Sequence, residues 1–299
     1  MSKFQVHGIF ALNKPPGITS ARLVDKVKKI LKLDEIQKPV EEFSINTNRN
    51  KYKRKNAPAW KLGHAGTLDP QAKGVMILGI GQGCKALSSY LKTPKKYEAE
   101  VILGYSTNTL DIDGEIDEIV PNTSISEDSI KSKLHSFIGN IKQTPPKFSA
   151  LKVNGKPLYH YAYKDVPIPD VDKSRFVDIY SLTLDYFKDI KHNRSSAEGI
   201  LKSLEIGDQA KLVLEHDYHC FGFSTTCGRG TYIRSLGKDI CTSLGTTGFI
   251  SKLSRTQYGP FILGNNVLDL EDLSDTEKVL DVINYSVLLH NKTFESQSS

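Results

Sequence analysis

The sequence predicts an α+β fold with a mostly antiparallel, mixed central sheet flanked by helices and loops. Strand-like segments outnumber helical ones along the 299 residues, and several neighbouring strands are separated by turns short enough for hairpins. A chain of this length can bury a sizeable core, either as one large domain or as a domain with an appendage.

The first half of the chain alternates short elements with turns. Thr19 or Ser20 is expected to cap a helix whose apolar residues share one face. Residues 34–59 hold few aliphatic side chains and predict a surface insertion. Within it, Arg49–Lys55 is basic, and RNA contact, a nuclear address and a solvated loop all remain open. The other predicted elements are strands at 9–13, 75–80 and 97–103 and a helix at 84–92.

The second half predicts more strands. Ser126 is expected to cap a helix that Gly139 ends, and Asn154-Gly155 is typical of a hairpin turn. Residues 175–187 alternate, which predicts that Phe176, Tyr180, Leu182, Leu184 and Tyr186 share one face. The remaining predictions are an insertion at 188–207, strands near 209–215 and 220–226, a helix from Gly230 to Gly245 and a frayed last dozen residues.

Composition narrows the range of functions. Lysine and arginine number 40 against 34 acidic residues, and the net charge of +6 favours an anionic partner. The four cysteines lack a CxxC spacing, so neither a zinc site nor a disulfide framework is expected, and reduced, mostly buried thiols are predicted. No apolar run reaches the roughly 18 residues of a membrane span, and no secretory signal is present. An intracellular protein is therefore expected.

Two segments concentrate residue types suited to chemistry. In residues 61–70, glycines flank His64 and a proline follows Asp69, which predicts a shaped loop; a plain Asp-containing turn is the alternative. In residues 227–236, a glycine turn feeds a helix that carries Arg234, so both a phosphate site and a structural ion pair remain open. Tyr97 begins an alternating strand, where core packing is the ordinary role.

These segments belong to an ordered series of motifs. The motifs are LNKPPGITS (12–20), KLGHAGTLDPQAKGVMILGIG (61–81), KKYEAEVILGYSTNTLDIDGE (95–115), PPKFSALKVNGKPLY (145–159), GRGTYIRSLGKDI (228–240) and KLSRTQYGPF (252–261). Through them the chain resembles the TruB family of pseudouridine synthases, from Ile9 to about Phe261. The resemblance implies the pseudouridine synthase fold and the isomerisation of uridine 55 in the T-loop of tRNA, without a guide RNA.

The resemblance also implies residue roles. Asp69 matches the catalytic aspartate, which acts at the sugar either as nucleophile at C1′ or as base at C2′. Arg234 matches the arginine that pairs with this aspartate and lowers its pKa. Tyr97 matches the tyrosine that stacks on the target base, and Leu253 matches an apolar residue of the pocket. His64 matches the histidine that inserts into the RNA loop when the uridine flips out.

Further contacts and partners are expected from the same resemblance. Lys14, Lys61, Lys73 and Lys152 are candidate RNA contacts, with ordinary solvated lysines as the alternative for each. No metal or organic cofactor is expected because the isomerisation involves no net redox change. The expected partners are tRNA, through its T-arm, and some mRNA, with no membrane, and a monomer is expected.

The domain prediction is a catalytic domain at 1–265 and a short C-terminal extension at 266–299, without a separate accessory RNA-binding domain. Together with the two insertions, this pattern resembles the eukaryotic, fungal-type branch of the family. The expected compartment is the nucleus, with a mitochondrial pool as a second location. The alternative function is an RNA-binding protein that helps tRNA to fold and whose catalysis is dispensable.

Overall fold

A computed structural model describes residues 7–31, 61–120, 124–164, 166–167, 169, 172–191, 213 and 216–294. The predicted insertion at 34–59 and residues 192–207 of the second insertion lie outside these ranges. The chain divides into two compact units. Unit 1 comprises residues 1–91 and 258–299, and unit 2 comprises residues 92–257. Each is described here by itself.

The elements follow one another as β1 (Gly8–Lys14), α1 (Ser20–Ile30), β2 (Leu62–Ala65), β3 (Lys73–Ile80), α2 (Leu87–Tyr90), β4 (Lys95–Leu103), β5 (Tyr105–Thr107), β6 (Ile116–Ile119), α3 (Glu127–Leu134), β7 (Gly139–Gln143), β8 (Lys152–Val153), β9 (Lys156–Pro157), α4 (Leu158–Tyr163), β10 (Arg175–Ile190), β11 (Tyr218–Cys227), α5 (Ile233–Ser243), β12 (Gly248–Tyr258), β13 (Phe261–Ile262) and α6 (Thr276–Phe294). Short 3-10 helices lie at Gly81–Lys85, His135–Phe137 and Glu271–Ser274. The α+β class is confirmed.

In unit 1, β1 and β2 both pair antiparallel with β3. Side chains of β1 alternate between two apolar clusters: Phe10 and Leu12 join one, and Ile9 and Ala11 join the other. A strand buried on both faces reads as a continuous apolar run, which is why 9–13 and 75–80 were recognisable. The C-terminal residues join the first cluster through side chains of the 266–299 segment, namely Leu268, Leu273, Val279 and Ile283.

Unit 2 is built on strands in the order β12–β4–β11–β10–β7. The pairs β4–β11, β11–β10 and β10–β7 are antiparallel, as predicted. Helix α5 approaches this sheet closely at Gly237, where an added Cβ would lie 2.9 Å from Ile250 and 3.3 Å from Val101. Glycine at this position therefore lets the helix that carries Arg234 lie against β4 and β12.

Several local predictions are confirmed. Thr19 is the cap of α1, because its Oγ1 accepts a hydrogen bond from Arg22 N at 3.1 Å. Asn154 and Gly155 have φ of 50° and 78° and join β8 to β9 as a hairpin. Gly245, with φ of 78°, follows the end of α5. These features depend on residues next to each other in sequence, so the sequence reports them directly.

The predicted apolar face of β10 is wrong for the first part of the strand, whereas Leu182 is buried and Leu184 and Tyr186 are partly buried, as predicted. Phe176 and Tyr180 are 68% and 54% exposed, whereas Val177 and Ile179 are buried. The pairing of β10 with β11 shifts register between Ile179 and Ser181, and this irregularity brings Leu182 into the core as well. One extra residue in a strand reverses which alternate positions face inward, and a strict two-residue period cannot report it.

Other segments also differ from the prediction. The helix capped by Ser126 ends as an α-helix at Leu134, a 3-10 turn follows, and Gly139 begins β7. The helix predicted at 84–92 is a 3-10 turn and the four-residue α2. The strand predicted near 209–215 lies almost wholly outside the described residues, and Val213 is helical. Helix α6 extends to Phe294, so most of the last dozen residues are helical.

Glu100 is a polar residue of β4 that strict alternation along the strand would expose to solvent. It is 7% exposed, and its carboxylate accepts hydrogen bonds from Ser251 Oγ at 2.8 Å and Tyr186 Oη at 2.8 Å. Lys252 Nζ lies 2.9 Å from the same carboxylate. These partners offset the desolvation cost and hold the pKa of Glu100 below its usual value, although burial alone would raise it.

The helices and the cysteines of the described residues bear on the predicted class of protein. None of their helices is long and apolar enough to cross a membrane. All four cysteines are free thiols, and Cys220, Cys227 and Cys241 are buried, as predicted.

Candidate active site

Asp69 lies in a tight turn of unit 1 between β2 and β3. The turn is entered through Gly66, whose φ is 64° and whose added Cβ would lie 2.8 Å from the ring of Tyr258. No other residue type fits this position without displacing a buried tyrosine. Ala72 N donates to Asp69 O at 3.2 Å, and Asp69 itself is partly exposed. The backbone therefore presents this carboxylate in a defined conformation.

Lys14 stabilises the Asp69 turn through its buried ammonium group. It is fully buried, and its Nζ donates to Pro70 O at 2.8 Å, Ala72 O at 2.7 Å and Pro15 O at 2.9 Å. Gly17 N adds a bond to Pro70 O at 3.0 Å. The position of Lys14 gives it a structural role, because its ammonium group is buried under the Asp69 turn and does not reach the surface as the predicted RNA contact requires.

Ser20 supports the other side of the turn. Its Oγ donates to Leu68 O and accepts from Leu68 N, both at 2.9 Å. The LNKPPGITS motif therefore fixes the residues before and after Asp69. The sequence predicts a helix cap here but not these bonds, because they join residues about 50 positions apart.

The other predicted residues of unit 1 lie along β2 and β3. His64 is partly buried on β2, opposite Leu78 of β3. Lys61 precedes β2 and Lys73 begins β3, and both are exposed. Their exposure suits contacts with a phosphate backbone, and these contacts stay predictions.

Arg234 is held within unit 2 by three groups. It is the second residue of α5 and is 4% exposed. Its Nη1 donates to Thr109 O at 2.6 Å and its Nη2 donates to Phe148 O at 2.8 Å. Asp111 Oδ2 lies 3.6 Å from Nη1 and provides a partly buried counter-charge. The pairing with Asp69 stays a prediction.

Asp111 is a charged residue whose role the sequence did not reveal. Thr109 Oγ1 donates to its Oδ1 at 2.6 Å and Asp113 N donates at 3.1 Å. Leu110, between Thr109 and Asp111, has φ of 62°, which a leucine adopts only under constraint from its surroundings. The available signal is the TLDIDGE segment of the 95–115 motif, whose position in the chain does not connect Asp111 with Arg234.

Tyr97 lies on β4, opposite Thr225 of β11, and is 8% exposed. Arg255 Nη1 donates to the Tyr97 hydroxyl at 3.4 Å, and the Arg255 guanidinium carbon is 6.0 Å from the ring centroid. Arg255 is 1% exposed. The sequence placed it in the KLSRTQYGPF motif without a role, so Arg255 is a second charged residue that only the structure connects to the site.

The remaining residues of interest in unit 2 differ in their exposure to solvent. Leu253 is partly buried on β12, two residues before Arg255, which is the spacing of residues on one sheet face. Lys152 is exposed in the β8–β9 hairpin. Burial lowers the pKa of Lys95, at the start of β4, to about 8, and the charges of Arg255 and Arg229 add to the effect.

No group of three or more histidine, cysteine or acidic side chains suited to a metal ion occurs in the described parts of both units. The candidate reactive groups are therefore the Asp69 carboxylate on a rigid turn in unit 1 and, in unit 2, Tyr97 with the buried Arg234 and Arg255.

Known proteins are similar to this chain in sequence and in fold. Residues 49–198 match the family described as TruB family pseudouridylate synthase (N terminal domain). The chain is 31% identical to tRNA pseudouridine synthase 4 of Saccharomyces cerevisiae, over 92% of this chain and 85% of that protein. It is 35% identical to human pseudouridylate synthase TRUB1, over 87% of this chain and 63% of that protein. It is 35% identical to tRNA pseudouridine synthase B of Alkaliphilus oremlandii, over 93% and 73%.

A solved structure is also similar. The chain matches a protein in the crystal structure of a Cbf5-Nop10-Gar1 complex with a TM-score of 0.55 and 25% identity, over 92% of this chain and 55% of that one. Fold and motifs together define a pseudouridine synthase. The chain belongs to the TruB family, and it is a tRNA pseudouridine synthase, an isomerase.

Proposed function

We propose that this enzyme isomerises uridine 55 in the T-loop of tRNA, acts without a guide RNA and uses Asp69 as its catalytic carboxylate. The observation that carries the proposal is the Asp69 turn. Lys14, Gly17 and Ser20 bond to the residues on both sides of Asp69, so the carboxylate is held on a rigid support before substrate arrives. Preorganisation of this kind favours reaction over rearrangement.

The reaction breaks the bond between N1 and C1′, turns the uracil and joins C5 to C1′. The C5 proton is lost and N1 gains one, so oxidation state does not change. Asp69 contributes at the sugar, either by attacking C1′ or by removing the proton from C2′. Both roles need an ionised carboxylate in a fixed direction, and the supported turn suits both.

Residues of unit 2 have matching roles in this proposal. Tyr97 stacks on the target base, and its hydroxyl is already oriented by Arg255. Leu253 supplies an apolar wall, and Arg234 supplies a buried positive charge. The charge of Arg234 supports an ionised Asp69 during the reaction, as the family resemblance implies.

The RNA side of the proposal rests on surface residues. His64 takes the place of the flipped uridine in the loop and offsets part of the stacking that is lost. Lys61, Lys73 and Lys152 are exposed and contact the phosphate backbone. The T-arm of tRNA is the proposed target, some mRNA is a further substrate, and the enzyme acts as a monomer in the nucleus with a mitochondrial pool.

The test uses the purified full chain and tRNA transcripts labelled with tritium at C5 of uridine. Wild-type protein alone should release tritium from a transcript with uridine at position 55 and release none from one with cytidine there. Asp69→Asn should lose at least about a thousandfold in rate, because the reacting group is removed without a change of size. Thermal unfolding of Asp69→Asn should match that of the wild type.

The controls separate the alternatives. Asp281→Asn makes the same change on an exposed face of α6 and should leave the rate unchanged. Tritium release that requires added cellular RNA would contradict the stand-alone proposal. If Asp69→Asn restores growth or tRNA folding in a deletion strain as well as wild type, the RNA-folding role is the essential one.

A further inference from the structure

Helix α5 of unit 2, which carries Arg234, begins without a local cap. Tyr232 is its N-cap residue, and the Tyr232 side chain makes no capping hydrogen bond. Helices are ordinarily capped by serine, threonine, aspartate or asparagine, whose side-chain oxygen accepts a bond from the first turn. Ser235 occupies the third helical position, from which a side chain often bonds back to the cap. Its Oγ instead donates to Thr144 O at 2.8 Å. The cap residue is therefore held by another part of the unit.

Gln143, the last residue of β7, supplies the missing bonds. Tyr232 N donates to Gln143 Oε1 at 2.8 Å, and Gln143 Nε2 donates to Tyr232 O at 3.1 Å. Leu236 N donates to the same carbonyl oxygen at 3.0 Å, and this bond is the first of the helix. A primary amide has both donors and an acceptor, so it pairs with a peptide group as a neighbouring strand does. Gln143 thus replaces a local cap from 89 positions away in the sequence.

Arg175 holds the turn that precedes α5. It lies directly opposite Gln143 in the antiparallel pair of β7 and β10. Its Nη2 donates to Gly230 O at 2.6 Å, and its guanidinium carbon is 4.9 Å from the centroid of the Tyr232 ring. Gly230 has φ of 86°, and an added Cβ would lie 3.2 Å from the guanidinium carbon, so glycine permits this approach. Two facing residues of one strand pair therefore hold consecutive parts of the same segment.

The burial of Gln143 indicates what its amide contributes. The residue is 1% exposed. Burying an amide costs free energy unless its polar groups are hydrogen-bonded, whereas an apolar side chain of similar length fills the same space without that requirement. The bonds of the Gln143 amide both go to Tyr232, two residues before Arg234. The amide therefore fixes the position of a backbone segment.

The direction of the Arg234 side chain depends on that segment. Its guanidinium donates to Thr109 O at 2.6 Å and to Phe148 O at 2.8 Å. These acceptors belong to two other loops, so the guanidinium reaches both only when the first turn of α5 is in one position. A shift of about 1 Å in a group that supports a reaction lowers the rate by as much as about a hundredfold. Bonds that prevent such a shift contribute to the rate without touching the substrate.

We propose that Gln143 and Arg175 are positioning residues for the reaction: they fix the start of α5 and thereby the direction of the Arg234 guanidinium. Gln143 has the larger effect, because it makes two bonds to Tyr232 from a buried position. Arg175 is partly buried and adds one bond and one ring contact. The inference rests on the proposed function, in which Arg234 supports the ionised catalytic carboxylate.

The experiment measures single-turnover tritium release and tRNA affinity for full-length variants, at a temperature where each variant is folded. Gln143→Met keeps the approximate volume of the side chain and removes both bonds. Its rate constant should fall about tenfold while the Kd for tRNA stays within about twofold, because a misdirected Arg234 affects the reaction and not RNA binding. Arg175→Met should lower the rate constant about threefold. Gln82→Met, the same change at an exposed position of unit 1, should alter neither quantity.

A double-mutant cycle tests whether Gln143 acts through Arg234. Arg234→Lys removes the guanidinium that Gln143 directs, so in this background Gln143→Met should lower the residual rate by less than about twofold. A substitution that only loosens the fold would cost the same factor in both backgrounds, and that result overturns the proposal. An unchanged rate constant in Gln143→Met, or a loss confined to tRNA affinity, overturns it as well.

Ser126→Ala controls for lost stability, since it removes the cap of α3 in the same unit. It should lower the unfolding midpoint by a few degrees and leave the rate constant of the folded protein unchanged. Hydrogen exchange of residues 228–240 adds a readout that needs no RNA. Exchange there should be at least about tenfold faster in Gln143→Met and unchanged in Ser126→Ala.

The two proposals fail in different ways. If wild-type protein converts no tRNA, the proposed function fails, and hydrogen exchange then decides the inference. Faster exchange of residues 228–240 in Gln143→Met supports the positioning role, and unchanged exchange overturns it.

Discussion

The two units hold their central charged residues in different ways. In unit 1, the bonds that fix Asp69 run from Lys14 and Ser20 to the backbone of neighbouring residues. In unit 2, the Arg234 side chain itself is bonded to two carbonyl oxygens and lies beside Asp111. Bonds to the backbone fix the direction of the Asp69 side chain and do not use the hydrogen-bonding capacity of its carboxylate. Direct support fixes the side chain and its charge together.

The largest loss of stability is expected from removing Lys14, which holds Asp69 through the backbone of neighbouring residues. Lys14→Met leaves three carbonyl oxygens without their buried donor and should reduce the free energy of unfolding by about 3 kcal/mol. The rate of tritium release should fall as well, because the Asp69 turn loses its anchor. Denaturant unfolding with the rate assay measures both.

Lys73→Met is the matched control, since Lys73 is exposed close to the same turn. Its unfolding free energy should stay within about 0.5 kcal/mol of the wild type. Equal destabilisation by both substitutions would contradict the structural role of Lys14.

A smaller effect is expected from removing the counter-charge of Arg234. Asp111→Asn keeps the shape and the bond from Asp113 N but removes the negative charge beside a buried guanidinium. We expect kcat to fall about tenfold, because electrostatic support within a buried site is stronger than in water. Asp128→Asn, on the exposed start of α3, should leave kcat unchanged. An unchanged kcat in Asp111→Asn would show that the two carbonyl bonds suffice.

Thr19 and Ser20 are adjacent, and substituting each one separates an effect on the free energy of unfolding from an effect on the reaction rate. Thr19→Ala removes the cap of α1, and Ser20→Ala removes both bonds to Leu68. Each should cost about 1 kcal/mol of unfolding free energy. Only Ser20→Ala should also slow tritium release, because only Ser20 supports the Asp69 turn. Equal rates for the two variants would contradict this distinction.

The smallest effect concerns Lys95. Its pKa is lowered from the ordinary value to about 8 by burial, so the unfolded chain binds the proton more tightly. Stability contributed by this group should therefore rise as pH increases from about 8 towards 10. Unfolding midpoints of wild type and Lys95→Met at pH 7.5 and 9.5 test the sign. The difference between them should shift in favour of the wild type at the higher pH.

The sequence by itself determined the features that depend on neighbouring residues. The cap at Thr19, the hairpin at Asn154-Gly155 and the doubly buried strand β1 all follow from local preferences and apolar patterning. The ordered motifs also predict Asp69 and Tyr97 as site residues, because the prediction uses residue types in sequence order and needs no knowledge of contacts.

Tertiary structure decided what depends on partners distant in sequence. From its motif, Lys14 was expected to contact RNA at the surface. In the structure it is buried, and its ammonium group donates to the carbonyl oxygens of Pro70 and Ala72. Asp111 became a partner of Arg234, and Arg255 a partner of Tyr97, through bonds across more than 100 residues. A buried charge is stable only where its partners converge, and a pattern along the chain carries no information about that convergence.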